Sequence, residues 1–345
     1  MSNRTYSPAE LAAALASMGV TDATDVSRYG SGHINDTFKV ETRRGVRFVL
    51  QRVNTDIFEP ETLKANMLRV TEHLRRKGVK SLEVVGYENP WRLFAFLEGY
   101  SSVDVITTPQ EAERAARAFA KFQNDLADLP SPRLGEIIPR FHDTVDRLRL
   151  LDEAVAADVK GRKKSVAAEL AFVDRRREEA AKIVTMLRTG EIPERITHND
   201  TKINNVMTAR DGSSVVIDLD TVMPGSALYD FGDMVRTASA AAAEDERDLS
   251  KVRSKKEYFE ALVRGYLAEA RFLTEAERAN LAFSGRLITL TIGVRFLTDY
   301  LAGDTYFHTG YDEHNLVRCR TQFKMVESME AQAADYEDIV RRNMI

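Results

Sequence analysis

Ile196-Thr197-His198-Asn199-Asp200-Thr201-Lys202-Ile203-Asn204-Asn205 decides how the rest of this chain is read. It fits the pattern H-x-D-x-x-x-x-N, with a lysine two positions after the aspartate. Moving a phosphoryl group onto an alcohol calls for a carboxylate that orients the hydroxyl and takes its proton, a neutral oxygen ligand for a divalent cation, and a cation facing the phosphoryl oxygens. Asp200, Asn205 and Lys202 offer these in that order. A second metal ligand belongs at the end of a strand just downstream, and Val215-Val216-Ile217-Asp218 has that form, 18 residues beyond Asp200. His198 suits holding the loop better than moving protons, because a catalytic histidine would duplicate Asp200.

The strand ending in Asp218 belongs to a short β island, in which Val206-Met207-Thr208 and Ser214-Val215-Val216-Ile217 flank the hairpin turn Arg210-Asp211-Gly212. Around it the pattern is helical. Thr108-Pro109-Gln110-Glu111 is a capping box opening an Ala-rich helix that Pro130-Ser131-Pro132 stops, and Thr274 to Glu277 is another. Apolar residues at helical spacing recur over 140–157, 164–188, 255–270, 275–302 and 313–341, and the alanines at 240–243 read as helix. Asp230-Phe231-Gly232 spells a D-F-G triplet, but it comes 30 residues after Asp200 and follows a Pro-Gly loop. The triplet is therefore rejected as the metal site, and a likeness to phosphotransferases related to aminoglycoside and choline kinases, in which an Asp-rich segment packs beneath the catalytic loop, implies structural roles for Asp230 and Asp233.

The first hundred residues alternate differently. Ser7-Pro8-Ala9-Glu10 caps a helix ended by Gly19, two strands at 37–42 and 47–51 meet at a turn near Arg44-Gly45, a helix covers Glu61 to Lys77, and strands follow at 82–85 and 92–97. The expected fold class is α+β, with a β-rich nucleotide-binding lobe over 1–98, including the N-terminal helix, and a mainly helical catalytic and substrate lobe over 99–345. Tyr29-Gly30-Ser31-Gly32-His33-Ile34-Asn35-Asp36 starts as a Gly-rich phosphate loop, in which Gly30, Ser31 and Gly32 let backbone N–H groups approach phosphates; it lacks the third glycine of G-x-G-x-x-G. Val49-Leu50-Gln51-Arg52 stands where V-A-I-K is expected. Alternation puts Leu50 and Arg52 on one face, and Arg52 becomes the candidate partner of the α/β-phosphates. Asn66 and Glu72 lie near the position of the usual helix glutamate, and that role stays open. Phe96 and Leu97, in Ala95-Phe96-Leu97-Glu98-Gly99, form the expected hinge that reads adenine.

Composition narrows the partners. Forty-nine Lys and Arg against 53 Asp and Glu give a formal charge of −4, which argues against an extended nucleic-acid surface or a polybasic membrane anchor. The single Cys319 cannot form an intrachain disulfide, and the chain reads as reduced and cytoplasmic. Met1 to Glu10 has no apolar core, and no run is expected to approach the roughly 20 apolar residues of a membrane span. A monomer or a weak homodimer is expected.

These stretches together resemble the aminoglycoside phosphotransferase and choline kinase superfamily, whose fold is bilobal and protein-kinase-like. Within it the closest likeness is to the bacterial N-acetylhexosamine 1-kinases. The likeness runs from about residue 26 to 326 and is carried by Gly30 to Thr37, Phe141-His142-Asp143-Thr144, His198 to Val206, Ile217 to Gly225, Tyr229 to Asp233, Gly293 to Leu301 and Gly303 to Phe307. It implies ATP and Mg²⁺ as cofactors and transfer of the γ-phosphate to the anomeric hydroxyl of N-acetylglucosamine or N-acetylgalactosamine. A neutral polyol needs bidentate polar side chains and an aromatic platform, and His33, Asn35, Asp143, Arg295, Asp299, Tyr306 and Asn315 supply that repertoire. Arg295, Asp299 and Asp304 read equally well as an ion-pair network. Choline, an aminoglycoside or another alcohol is the alternative acceptor, and a non-catalytic kinase-fold binding module is a third reading. A protein acceptor is disfavoured because nothing resembling A-P-E follows Asp218.

Overall fold

The computed structural model describes residues 4–30 and 34–344, so the expectations for Ser31, Gly32 and His33 lie outside the described residues. The chain forms two compact units. The first takes the chain up to Ser102 with Asp128–Pro139 and Met207–Met223; the second takes Val103–Ala127, Arg140–Val206 and Pro224 onward. The contiguous division at 98/99 is thus replaced by an interleaved one, because the hairpin after the catalytic loop pairs with the strand that ends the first lobe.

In the first unit, α1 (Pro8–Ser17) starts at a complete capping box between Ser7 and Glu10. Strands β1 (Ala23–Arg28), β2 (Asp36–Thr42), β3 (Arg47–Arg52), β4 (Val84–Glu88) and β5 (Trp91–Ala95) form an antiparallel sheet in the order β1-β2-β3-β5-β4. Register sets what each face does. Phe38, Leu50 and Leu93 stand opposite one another across three strands, and with Val40 they bury against Leu11, Leu15 and Val20 around α1. The neighbouring positions, Gln51 and Arg92, are paired in the register and point to the other face. Helix α2 (Pro60–Arg76) buries Leu63, Asn66, Met67, Val70 and Leu74, and Arg92 Nη1 approaches Met67 Sδ at 3.8 Å. Strand β6 (Tyr100–Ser102) pairs with Val206–Ala209, which pairs with Ser214–Val216.

The second unit is helical. Helix α3 (Pro109–Leu126) opens at the predicted Thr108 box and packs on the Lys256–Glu269 helix; α4 (Thr144–Ala157) packs on the Leu281–Ala302 helix. The 164–188 stretch is broken into short helices, Lys163–Val166, Ala167–Asp174, Arg177–Ala180 and Lys182–Thr189. The alanines at 240–243 are not helical: the helix before them ends at Ala238, and Ala240 bridges to Ser254. Leu281–Ala302 also corrects an expectation, since it is long and apolar enough to cross a membrane by length and composition, with a mean hydropathy of 1.3. It is 78% buried over that window, against α4, Ala227–Ala238 and His314–Ala331, which makes it a core helix.

Candidate active site

The catalytic loop leaves a short strand, Arg195–Thr197, and every turn of it is held from below. Asp230, in the first turn of the Ala227–Ala238 helix, is fully buried and accepts from His198 N at 2.8 Å, Asn199 N at 2.7 Å and Gln123 Nε2 at 2.6 Å. Asp233, one turn on, accepts from Thr201 N at 3.0 Å and pairs with Arg236 at 2.9 Å. The glycine of the D-F-G triplet is a packing residue, since a Cβ on Gly232 would meet Ser284 O at 2.4 Å. His198 is buried between Phe119 and Phe122 and accepts from Asp200 N at 3.3 Å. It braces the loop as expected. His142, which the sequence reading did not single out, is also buried, and its Nε2–H donates to Asn199 O at 2.9 Å. Burial draws its pKa down to about 4, so it acts as a neutral brace.

On this base Asp200 and Lys202 form an ion pair at 2.9 Å, with the lysine half exposed. Burial alone would raise Asp200, but Lys202, the His198 ring and Arg236 together hold it below its ordinary value. Asn205 Nδ2 donates to Asp200 O at 2.9 Å and reaches Oδ2 at 3.3 Å, which leaves the amide oxygen as the end able to ligate a cation. No group of three or more His, Cys, Asp and Glu among the described residues could cage a metal. Mg²⁺ does not require such a cage, because it is bound through one or two oxygen side chains, water and phosphates.

In the first unit, Asp218 lies at the end of the predicted strand with a left-handed backbone, φ 58°. The cation on this side is Arg92. Its Nη1 lies 2.6 Å from Asp220 Oδ1, and its Nη2 lies 2.8 Å from Oδ2, with both side chains almost fully buried. Arg52, the candidate partner of the α/β-phosphates, is paired in register with Asp36 and Trp91 and so shares the face that α1 covers. Arg92 lies on the opposite face, beside Gln51, because a one-residue step along a strand changes the face. Asn66 does not pair with a cation; it binds Gly135 through both ends of its amide and donates to Val222 O at 3.1 Å. Glu72 is engaged with Arg75 and Arg76. Gly30 has φ 80°, a conformation glycine adopts without steric cost. Phe96 lies against Tyr29 and Arg47, and Leu97 is buried.

The sugar candidates separate into two groups. Asn35 is used at both ends, donating to Asp220 Oδ2 at 2.6 Å and accepting from Asn54 N at 3.0 Å. Asp143 is the N-cap of α4, accepting from Asp146 N at 3.0 Å, with Arg188 at 3.3 Å. Asp299 accepts from Thr305 N, Tyr306 N, Phe307 N and Asn315 Nδ2 at 2.8–3.0 Å, which fills a carboxylate's four acceptor positions. Asn35, Asp143 and Asp299 are therefore scaffold residues, and Asp304 joins them by pairing with Arg162 at 2.6 Å. Arg295 stands apart from that network. Its guanidinium lies over the rings of Phe141, Tyr306 and Phe307, 4.9–5.6 Å from their centroids, and its one polar contact is Tyr306 Oη at 3.4 Å. Loss of water pushes its pKa down to about 10, and no carboxylate among the described residues pairs with it.

Residues 25–279 match the phosphotransferase enzyme family, APH, and the chain belongs to that family. Its fold is similar to that of choline kinase from Cryptosporidium parvum Iowa II, with a TM-score of 0.60, 14% identity and 92% of each chain covered. It is also similar to an aminoglycoside phosphotransferase from Alicyclobacillus acidocaldarius, with a TM-score of 0.59, 14% identity and 99% of each chain covered. A third similar structure is the ADP-bound aminoglycoside phosphotransferase APH(2'')-Ib, with a TM-score of 0.59 and 13% identity over 94% of this chain and 99% of that one. The protein is thus a member of a phosphotransferase family, and it shares the fold of aminoglycoside phosphotransferases and choline kinases.

Proposed function

We propose that this kinase transfers the γ-phosphate of ATP to the anomeric hydroxyl of an N-acetylhexosamine. Arg295 carries the choice of acceptor. Two cationic side chains, Arg295 and Arg147, adjoin the Phe141-His142 segment that braces the catalytic loop, Arg147 through hydrogen bonds to Phe141 O. Choline and aminoglycosides are cations, and at ~6 Å each such pair would repel by roughly 3 kcal/mol at an effective dielectric of about 20. A neutral sugar offers hydroxyl and amide oxygens that accept from a guanidinium and a ring face that packs on Tyr306 or Phe307.

Asp200, ionised at neutral pH, accepts the acceptor hydroxyl's hydrogen bond, sets its direction of attack and takes its proton as the phosphoryl group moves. Asn205 keeps the carboxylate in place through Nδ2. Lys202 faces the phosphoryl oxygens, and its charge is held by Asp200. Asn205 and Asp218 are the oxygen donors that the family pattern gives to Mg²⁺, which when bound neutralises phosphate charge. The lone buried thiol, Cys319, and the ATP requirement fit a cytoplasmic enzyme.

The test is ADP release over N-acetylglucosamine, N-acetylgalactosamine, their methyl glycosides, neutral hexoses, choline and an aminoglycoside. Free N-acetylhexosamines should react and methyl glycosides should not. Turnover of choline or an aminoglycoside with hexosamines inert would move the acceptor to the alternative class. Asp200→Asn should lower turnover at least about a thousandfold with ADP binding retained.

A further inference from the structure

Asp218 carries a side chain, yet its backbone sits at φ 58°, ψ 60°. An L-residue stays there only where its surroundings over-determine it. Two residues on, Asp220 is 2% exposed; its Oδ2 accepts from Arg92 Nη2 at 2.8 Å and Asn35 Nδ2 at 2.6 Å, and Arg92 Nη1 lies 2.6 Å from Oδ1 as an ion-pair contact. Arg92 is locked from its other edge, with Nε and Nη2 donating to Gln51 Oε1 at 3.0 and 2.8 Å. Beyond the 3₁₀ turn Leu219–Thr221, Val222 O accepts from Asn66. The turn that Asp218 enters is thus fastened at 220 to β5 and to the bend before β2, and at 222 to α2.

A buried ion pair is a weak device for stability, because packed apolar side chains serve as well or better. It is a strong device for geometry. A planar guanidinium that donates to Asp220 Oδ2 and, along its Nε edge, to Gln51 Oε1 is held in one orientation, and Gln51 ties that orientation to β3. Asn35 also ties the end of the Gly30 loop to the same carboxylate.

We propose that Arg92 and Asp220 are positioning residues for the metal ligand Asp218, holding its left-handed backbone so that Mg²⁺ affinity depends on an ion pair that is not itself a ligand. This rests on the kinase reading and on Asp218 as a metal ligand. The measurement is Mg²⁺-dependent ADP binding by calorimetry on the full chain, with thermal melting alongside, for Asp220→Asn, Arg92→Lys and the double variant Arg92→Met/Asp220→Leu. Each should raise the Mg²⁺ concentration for half-maximal ADP binding about 10- to 100-fold. The double variant should regain most of the Tm lost by single substitutions without regaining the Mg²⁺ requirement of the wild type. Recovery of both together would make the pair structural only and overturn the proposal. A change in Asp220→Asn with none in Arg92→Lys would overturn it in favour of Asp220 as a direct ligand. Should the double variant not fold, Arg92→Lys decides, and an unchanged Mg²⁺ requirement is fatal. Wild-type protein with no Mg²⁺-dependent ADP binding sinks the kinase reading itself; a normal wild type with indifferent variants sinks this proposal alone.

Discussion

Arg92 in the first unit is almost fully buried and Arg295 in the second is half-buried among aromatic rings, and the two arginines are treated in opposite ways. Burial works against the charge of Arg92, and Asp220 beside it more than restores that charge. Arg295 has aromatic faces and a 3.4 Å contact with Tyr306 Oη, and desolvation pulls its pKa down to about 10. A buried guanidinium with its counter-ion built in is part of the framework, whereas one without a counter-ion is complete only with something bound. Asp230 is the acidic counterpart of Arg295. Among the described residues no cation pairs with it, neutral donors hold it, and burial pushes it up to about 7 against the pull of those donors.

This contrast makes unequal demands on each substitution. The largest effect should follow Arg92→Met, which leaves Asp220 buried without its cation and should cost about 3–5 kcal/mol of folding stability in urea melts. A loss below 1 kcal/mol would mean that water already reaches the pair. Asp230 comes next, through pH. Its folded pKa stands above its unfolded one, so the folded state binds the extra proton and stability falls as pH rises between about 4 and 7. Across pH 5 to 7 the fall should be about 2–3 kcal/mol in wild type and absent in Asp230→Asn. Equal slopes in both proteins would show that another group, and not Asp230, is titrating. Arg295→Met should leave Tm unchanged or higher, since no partner is orphaned, and should raise the acceptor KM about 10- to 100-fold, the effect of 1–3 kcal/mol. A Tm loss like that of Arg92→Met, with an unaltered acceptor KM, would erase the distinction between the two arginines. Tyr306→Phe should be the mildest, within about threefold in kcat/KM, because a 3.4 Å contact on a half-exposed tyrosine adds little. A larger loss would show the hydroxyl to be an acceptor contact.

The chemistry of the catalytic loop was legible because it is local. A histidine, two aspartates, an asparagine and a lysine at set spacings, with a strand ending in Asp218, need no knowledge of distant partners, and the capping boxes at Ser7, Thr108 and Thr274 form as their residues dictate. The helix and strand periods likewise predicted an α+β chain with its β-rich part first. Arg92 was not legible, because its role depends on which face of β5 meets Asp220, 128 residues away in sequence. Strand alternation assigns residues to two faces but cannot say which face α1 will cover, and the structure puts Arg52 on the covered one. Asp299 and Asp143 misled for a related reason. Composition offers a carboxylate to a sugar and to a backbone N–H alike, and only the tertiary structure shows the loop amides that occupy Asp299 and the helix start that occupies Asp143. Pattern carries what neighbouring residues do to one another; folding decides which polar groups are already satisfied, and among the described residues it pairs no carboxylate with Arg295.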